Sequence, residues 1–204
     1  MPRLSLIPTN SCTNIKTYAN LKYINKTYLK DNFMMIRDSD GKDRDFLVRD
    51  LCDYYYRRIH DDEAAIPRIT PKNVLVLKYY ALENYFLDPE LMVKIGLIPS
   101  VKRYYEILFT KFNEYLYNIK SGQRLVARLG HKFKSPEEIQ EQDELMRICM
   151  RGHNLFDIFY HFKTKEEELD AIKRYLDVAE RRHFEDILQG FERFAYFDSK
   201  SRMK

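Results

Sequence analysis

Cys149, His153 and His161 are the residues whose types and spacing come nearest to a metal site, since one thiolate and two imidazoles would fill three positions of a tetrahedral zinc. Cys149 and His153 lie one helical turn apart, but Gly152 falls between them as a potential break. On an unbroken helix His161 would point far round from His153. The spacing therefore favours partly buried, hydrogen-bonded histidines and an ordinary thiol over a ligand set. Glu180 and His183 supply one Glu-x-x-His, whereas a di-iron bundle needs that motif twice together with two further glutamates. The run from Asp38 to Asp43 has the look of a calcium loop. With Gly41 at the sixth position, however, Ile36 takes the first and Leu47 the twelfth, where carboxylates are required, so the run reads as an acidic turn.

Nucleophilic and phosphate-transfer chemistry have no foothold either. There is no G-x-S-x-G, no glycine-rich phosphate loop and no G-x-G-x-x-G, and six glycines leave no room for a disguised one. No catalytic residue, metal ligand or cofactor is assigned, and the chain is read as non-catalytic.

Cations and aromatics are more suggestive. Lys16, Lys22, Lys26 and Lys30 alternate with Tyr18, Tyr23 and Tyr28; Gln123, Arg124, Arg128, His131, Lys132 and Lys134 form a second basic stretch, and Lys200, Arg202 and Lys204 a third. Cations that meet phosphates beside rings that stack on bases are what single-stranded RNA requires, and a basic helical face also suits acidic lipid. The net charge is only +4, yet residues 1–30 carry five cations and no acid. If helical, residues 12–30 would place their four lysines within an arc of about 120°, opposite Leu21, Ile24 and Tyr28. An acid-poor, hydroxyl-bearing basic start is also the composition of an organellar targeting segment, which predicts a mitochondrial location and otherwise a cytoplasmic one. The apolar run Leu4–Ile7, closed by Pro8, is too short for a secretory signal. Three cysteines at 12, 52 and 149, without a C-x-x-C, read as reduced thiols. No uncharged apolar stretch reaches the roughly 18 residues of a transmembrane helix.

Twenty-nine Tyr and Phe residues without one Trp raise a third possibility. Tyrosine packs its ring while its hydroxyl seeks water or a partner, a habit enriched at protein interfaces. Tyr104, Tyr105, Phe156, Phe159, Tyr160, Phe162, Phe194, Tyr196 and Phe197 are the candidate partner-binding residues on this reading. Lys16, Lys22, Lys26, Lys30, Arg124, Arg128, Lys132 and Lys134 are the candidate contacts to RNA or to a membrane surface.

The elements that must position these side chains are helices. Thr70-Pro71, Asp88-Pro89, Ser100 after Pro99, Ser135-Pro136 and Thr164 each pair a capping side chain with a start signal, and Glu138 and Glu167 complete capping boxes. The expected helices are a first one past Thr70 carrying Val74, Leu77, Ala81, Leu82 and Tyr85 on one face; a short turn, 90–95, stopped by Gly96; and one from 101 to 119 ended by Gly122. A fourth runs from 136 towards Gly152, and a long one from 164 carries Leu169, Ile172, Leu176, Ala179, His183 and Ile187, kinked or ended by Gly190. Residues 44–60 also keep helical spacing. One short hairpin is allowed between 33 and 48, with Asp40-Gly41 as its turn. The sum is one all-α domain of about six to eight helices over 32–204, with a basic arm or helix over 1–31. Its expected role is that of an accessory or scaffold subunit of a multi-protein complex, respiratory-chain or ribosomal, with RNA binding as the alternative and a metal-dependent enzyme behind both.

Overall fold

The structure, a computed structural model, describes residues 33–58 and 69–201, with side chains in the last helix described as far as Phe194. The basic arm therefore lies outside the described residues, as do Lys16, Lys22, Lys26, Lys30, Cys12 and the side chains of Tyr196 and Phe197. The chain is all-α, with nine α-helices and one two-stranded sheet among the described residues. It divides into two compact units, one drawn from residues up to Arg37, Asp43–Val76 and Gln189 onward, the other from Asp38–Lys42 and Leu77–Leu188.

In the first unit, β1 (Met35–Arg37) pairs in parallel with β2 (Val74–Val76), Met35 opposite Val74, and α1 (Arg44–Arg58) lies between them in sequence. A parallel pair needs a crossover of this kind. Leu47, Leu51 and Tyr55, successive at i, i+4 and i+8, bury one face of α1 with Met35, Ile69, Val74 and Val76. The Asp43 carboxylate accepts the Phe46 amide at 2.7 Å in the first turn, and Arg44 Nε donates to the Val76 carbonyl at 3.1 Å. Asn73 is fully buried: its Oδ1 accepts the Thr70 amide and hydroxyl, and its Nδ2 donates to the Phe33 carbonyl.

Two expectations are corrected here. The strand near residue 35 finds its partner 39 residues on rather than across the Asp40-Gly41 turn, because Phe46–Val48 belong to α1. The helix expected past Thr70 stops after one 3-10 turn, Pro71–Asn73. Val74, Leu75 and Val76 are buried on both faces of a strand, and a short, continuously apolar run serves that role as well as it serves a helix.

The second unit holds α2 (Pro89–Lys94), α3 (Val101–Glu114), α4 (Lys120–Leu129), α5 (Pro136–Glu141), α6 (Asp143–Cys149), α7 (Gly152–Phe159) and α8 (Lys165–Val178); α9 (Glu185–Ser201) starts in it. Asp88, Ser100, Ser135 and Thr164 each accept a first-turn amide with the side chain, as their sequence context requires. Gly96 and Gly130, at φ 73° and 81°, follow α2 and α4 in the left-handed region. Leu108, Phe112, Leu116, Leu125, Ile139 and Met146 form the middle of its core.

Three glycines act otherwise than expected. α3 ends at Glu114, where Tyr115 leaves helical geometry at φ −151°, and Gly122 sits inside α4. A Cβ there would stand 1.9 Å from the Leu116 carbonyl oxygen, so the position needs hydrogen for close packing. Gly152 opens α7 rather than ending a helix from 136, and a Cβ would meet Asn84 Oδ1 at 2.2 Å. Gly190 lies within α9 beneath the Leu75 side chain. The long helix from Thr164 breaks after Val178, and the buried face of α8 is Ala171 and Tyr175, which leaves Leu169 and Leu176 exposed.

Candidate functional site

The aromatic residues expected to bind partners are largely inside. Tyr104, Tyr105, Phe156, Phe159 and Tyr160 are all buried in the core of the second unit. Tyr104 stacks on Phe159 with centroids 4.6 Å apart, and Phe156 stacks on Tyr160 at 3.9 Å. Phe162 is half-buried against the same core, and Phe194 is half-buried on α9. Their burial has a physical cause. Tyr175 Oη donates to the Tyr85 carbonyl and accepts the Asp88 amide, Tyr160 Oη donates to the Phe86 carbonyl, and Tyr104 Oη donates to the Leu87 carbonyl. Three hydroxyls thus satisfy four consecutive backbone groups of the segment 85–88, which a phenylalanine could not do. Burial pushes the Tyr104, Tyr160 and Tyr175 hydroxyls well above the ordinary phenol range, so they remain protonated donors.

A charged group lies beside them. Arg147 pairs with Asp143 at 2.9 Å, both side chains only 14% exposed, and the guanidinium covers the Tyr79 ring at 4.7 Å. Burial raises the Asp143 carboxyl, while Arg147 and the Tyr105 hydroxyl pull the other way. Nearby, Tyr85 Oη donates to Asp186 Oδ2 at 2.5 Å, and Asp186 also accepts the Lys78 amide. Each of these polar groups holds backbone or enters a mutual pair, although Arg147 Nε is buried without a hydrogen-bond partner among the described residues. The arrangement builds the unit.

Among the described residues, no three His, Cys, Asp or Glu side chains are placed to hold a metal ion. Cys149 is buried with Arg128 Nη1 3.7 Å from its sulfur, His153 pairs with Asp157 on the exposed side of α7, and His161 faces solvent. His183 receives the Glu180 amide on Nδ1 and turns Nε2 towards Asp88 at 4.0 Å. An open trough of about 450 Å³ runs along α1, lined by Phe46, Arg49, Asp50, Asp53, Tyr54 and Arg57.

The second basic stretch divides. Glu138 pairs with the His131 imidazole and accepts the Lys134 backbone amide, while the Lys134 ammonium makes no ion pair among the described residues. Lys132 lies over the Tyr117 ring, 3.3 Å from its centroid. Arg124 and Arg128 are exposed, one turn apart on α4, and neither has a carboxylate within ion-pair distance among the described residues. Arg151, which precedes α7, joins them: Arg124 and Arg151 both pull the half-buried Tyr80 hydroxyl down, against its burial and against Asp40 and Asp38, which raise it. Several other cations of the unit are paired, as in Lys78–Glu144, Lys111–Glu114, Arg174–Asp170 and Arg181–Glu185. Arg151 and Tyr80 escaped the sequence reading because neither sits in a basic run.

No helix among the described residues is long and apolar enough to cross a membrane. No family model, curated protein or solved structure matches this chain.

Proposed function

We propose that this chain is a non-catalytic accessory subunit that docks onto a larger assembly. The observation that carries the reading is the outer stripe of α8. Leu169 and Leu176 are 49% and 48% exposed and stand one heptad apart, with the half-buried Ile172 between them. An i, i+3, i+7 apolar seam on an otherwise charged helix is the pattern by which one helix receives another. The aromatic rings first expected to form the interface serve the core instead, so the interface falls to these aliphatic residues. The composition of residues 1–30 supports a mitochondrial setting for the assembly.

The test is the native mass of the tagged full chain recovered from its own cells, with copurifying macromolecules identified. The expected result is a large, stoichiometric, nuclease-resistant particle that is lost in Leu169→Asp/Leu176→Asp. Recovery as a free 24.7 kDa monomer overturns the reading.

A further inference from the structure

We propose that Arg124 and Arg128 of α4, together with Arg151, two residues beyond the Cys149 sulfur that Arg128 meets, form a binding surface for the phosphodiester backbone of a single-stranded nucleic acid. This inference is independent of the α8 seam.

The local sequence concentrates positive charge. From Tyr115 to Pro136 the chain has five Lys or Arg residues and no Asp or Glu. α4 sorts that charge to one side, because Ser121, Gly122 and Leu125 are buried while Arg124 and Arg128 face water. The two guanidinium groups are separated by about 6 Å of helix rise, so each can take its own phosphate. Arg128 reaches the Cys149 sulfur, two residues before Arg151, and Arg151 shares the field at Tyr80 with Arg124. Two segments distant in sequence, α4 and 149–151, thus bring together three arginines that have no ion pair among the described residues. Guanidinium is the group that matches phosphate oxygens two at a time.

The other charges narrow the occupant. Asp38 and Asp40 stand near Tyr80 and limit the positive field there, so a polyanion is drawn along α4 and away from them. A membrane surface fits poorly. An interfacial helix keeps its apolar face free for lipid, whereas Leu125, Val126 and Leu129 of α4 are packed against the core. The half-buried Tyr80 ring, which borders Gly41 together with the Cys149 carbonyl, adds aromatic surface next to the segment that Arg128 meets, which single strands use and duplexes do not.

Fluorescence anisotropy of the full chain with labelled 20-nucleotide single-stranded RNA and DNA, across a salt series, tests this. The expected slope of log affinity against log salt is about −2 or steeper, since each of three phosphates on a single strand contributes about −0.7. Arg124→Ala/Arg128→Ala/Arg151→Ala should weaken binding at least tenfold and flatten the slope by about 2, with an unchanged thermal melt showing that the variant is folded. The alanine variant of Lys16, Lys22, Lys26 and Lys30 should retain that component. No binding by the parent chain, equal binding by the triple variant, or loss only in the lysine variant overturns the proposal. So does arginine-dependent binding to vesicles containing phosphatidylserine that neither RNA nor DNA displaces.

Discussion

Tyr175 shows how a single side chain can be misjudged from its type. Tyrosine abundance suggests an adhesive surface, yet this hydroxyl accepts the Asp88 amide and donates to the Tyr85 carbonyl inside the core. Tyr175→Phe keeps the ring and strands both backbone groups, so it should cost about 2 kcal/mol, read as a lower urea midpoint at unchanged slope. Acidic residues on the surface make a second residue-level prediction. Glu138 is held below the usual carboxylate range by His131 and by the Lys134 amide, and Glu144 by Lys78. A carboxylate whose folded value is depressed contributes stability above its unfolded value and loses it as pH falls through the folded one. The melting temperature should therefore decline from about pH 5 to pH 3, and Glu138→Gln/Glu144→Gln should flatten that limb. A melt of the double variant with the parent's acid slope would rule this out. Arg124 and Arg128 could be named from the sequence because they sit in one run, whereas Arg151 and Tyr80 become their neighbours only through the Arg128–Cys149 contact and the packing around residue 80.

Helix starts were legible because a cap is a local device. Asp88, Ser100, Ser135 and Thr164 each solve a problem within four residues, the unsatisfied first-turn amides, and need nothing from the rest of the chain. Glycine was misleading because its local meaning, a stop, competes with a non-local one, a place where another segment comes too close for a side chain. Gly122 and Gly152 follow the second meaning, and the contacts that impose it, with Leu116 and Asn84, are invisible to periodicity. Asn84 cannot yield to a methyl group at 152, since its Oδ1 holds the Ala81 amide and its Nδ2 the Met150 carbonyl. Gly152→Ala should thus destabilise by about 2–3 kcal/mol despite the higher helix propensity of alanine, and a neutral or stabilising result in chemical denaturation would refute the packing argument. Val74–Val76 failed for the converse reason: a three-residue strand is specified by its partner at Met35–Arg37, and the apolar run alone fits either state.

At the scale of the whole molecule, composition predicted an all-α chain correctly, since scarce glycine and proline and recurrent 3.6-residue periodicity are properties that need no tertiary information. The division into units was not marked by any Gly/Ser-rich linker, because the units exchange segments instead of following one another. That interleaving sets an order for folding during synthesis. Asp38–Lys42 leaves the ribosome long before the partners it needs, the Tyr79 carbonyl that accepts from Ser39 Oγ and the Tyr80 carbonyl that accepts from the Asp40 amide. At about 5–20 residues per second, the second unit waits several seconds more for the chain from Leu77 to Leu188 to be made. The first unit is kept open longer still, since its share of α9 begins only at Gln189. During that interval the β1–β2 pair lacks the helix whose Gly190 packs on Leu75, and its apolar strand is available to any chaperone that binds extended hydrophobic segments.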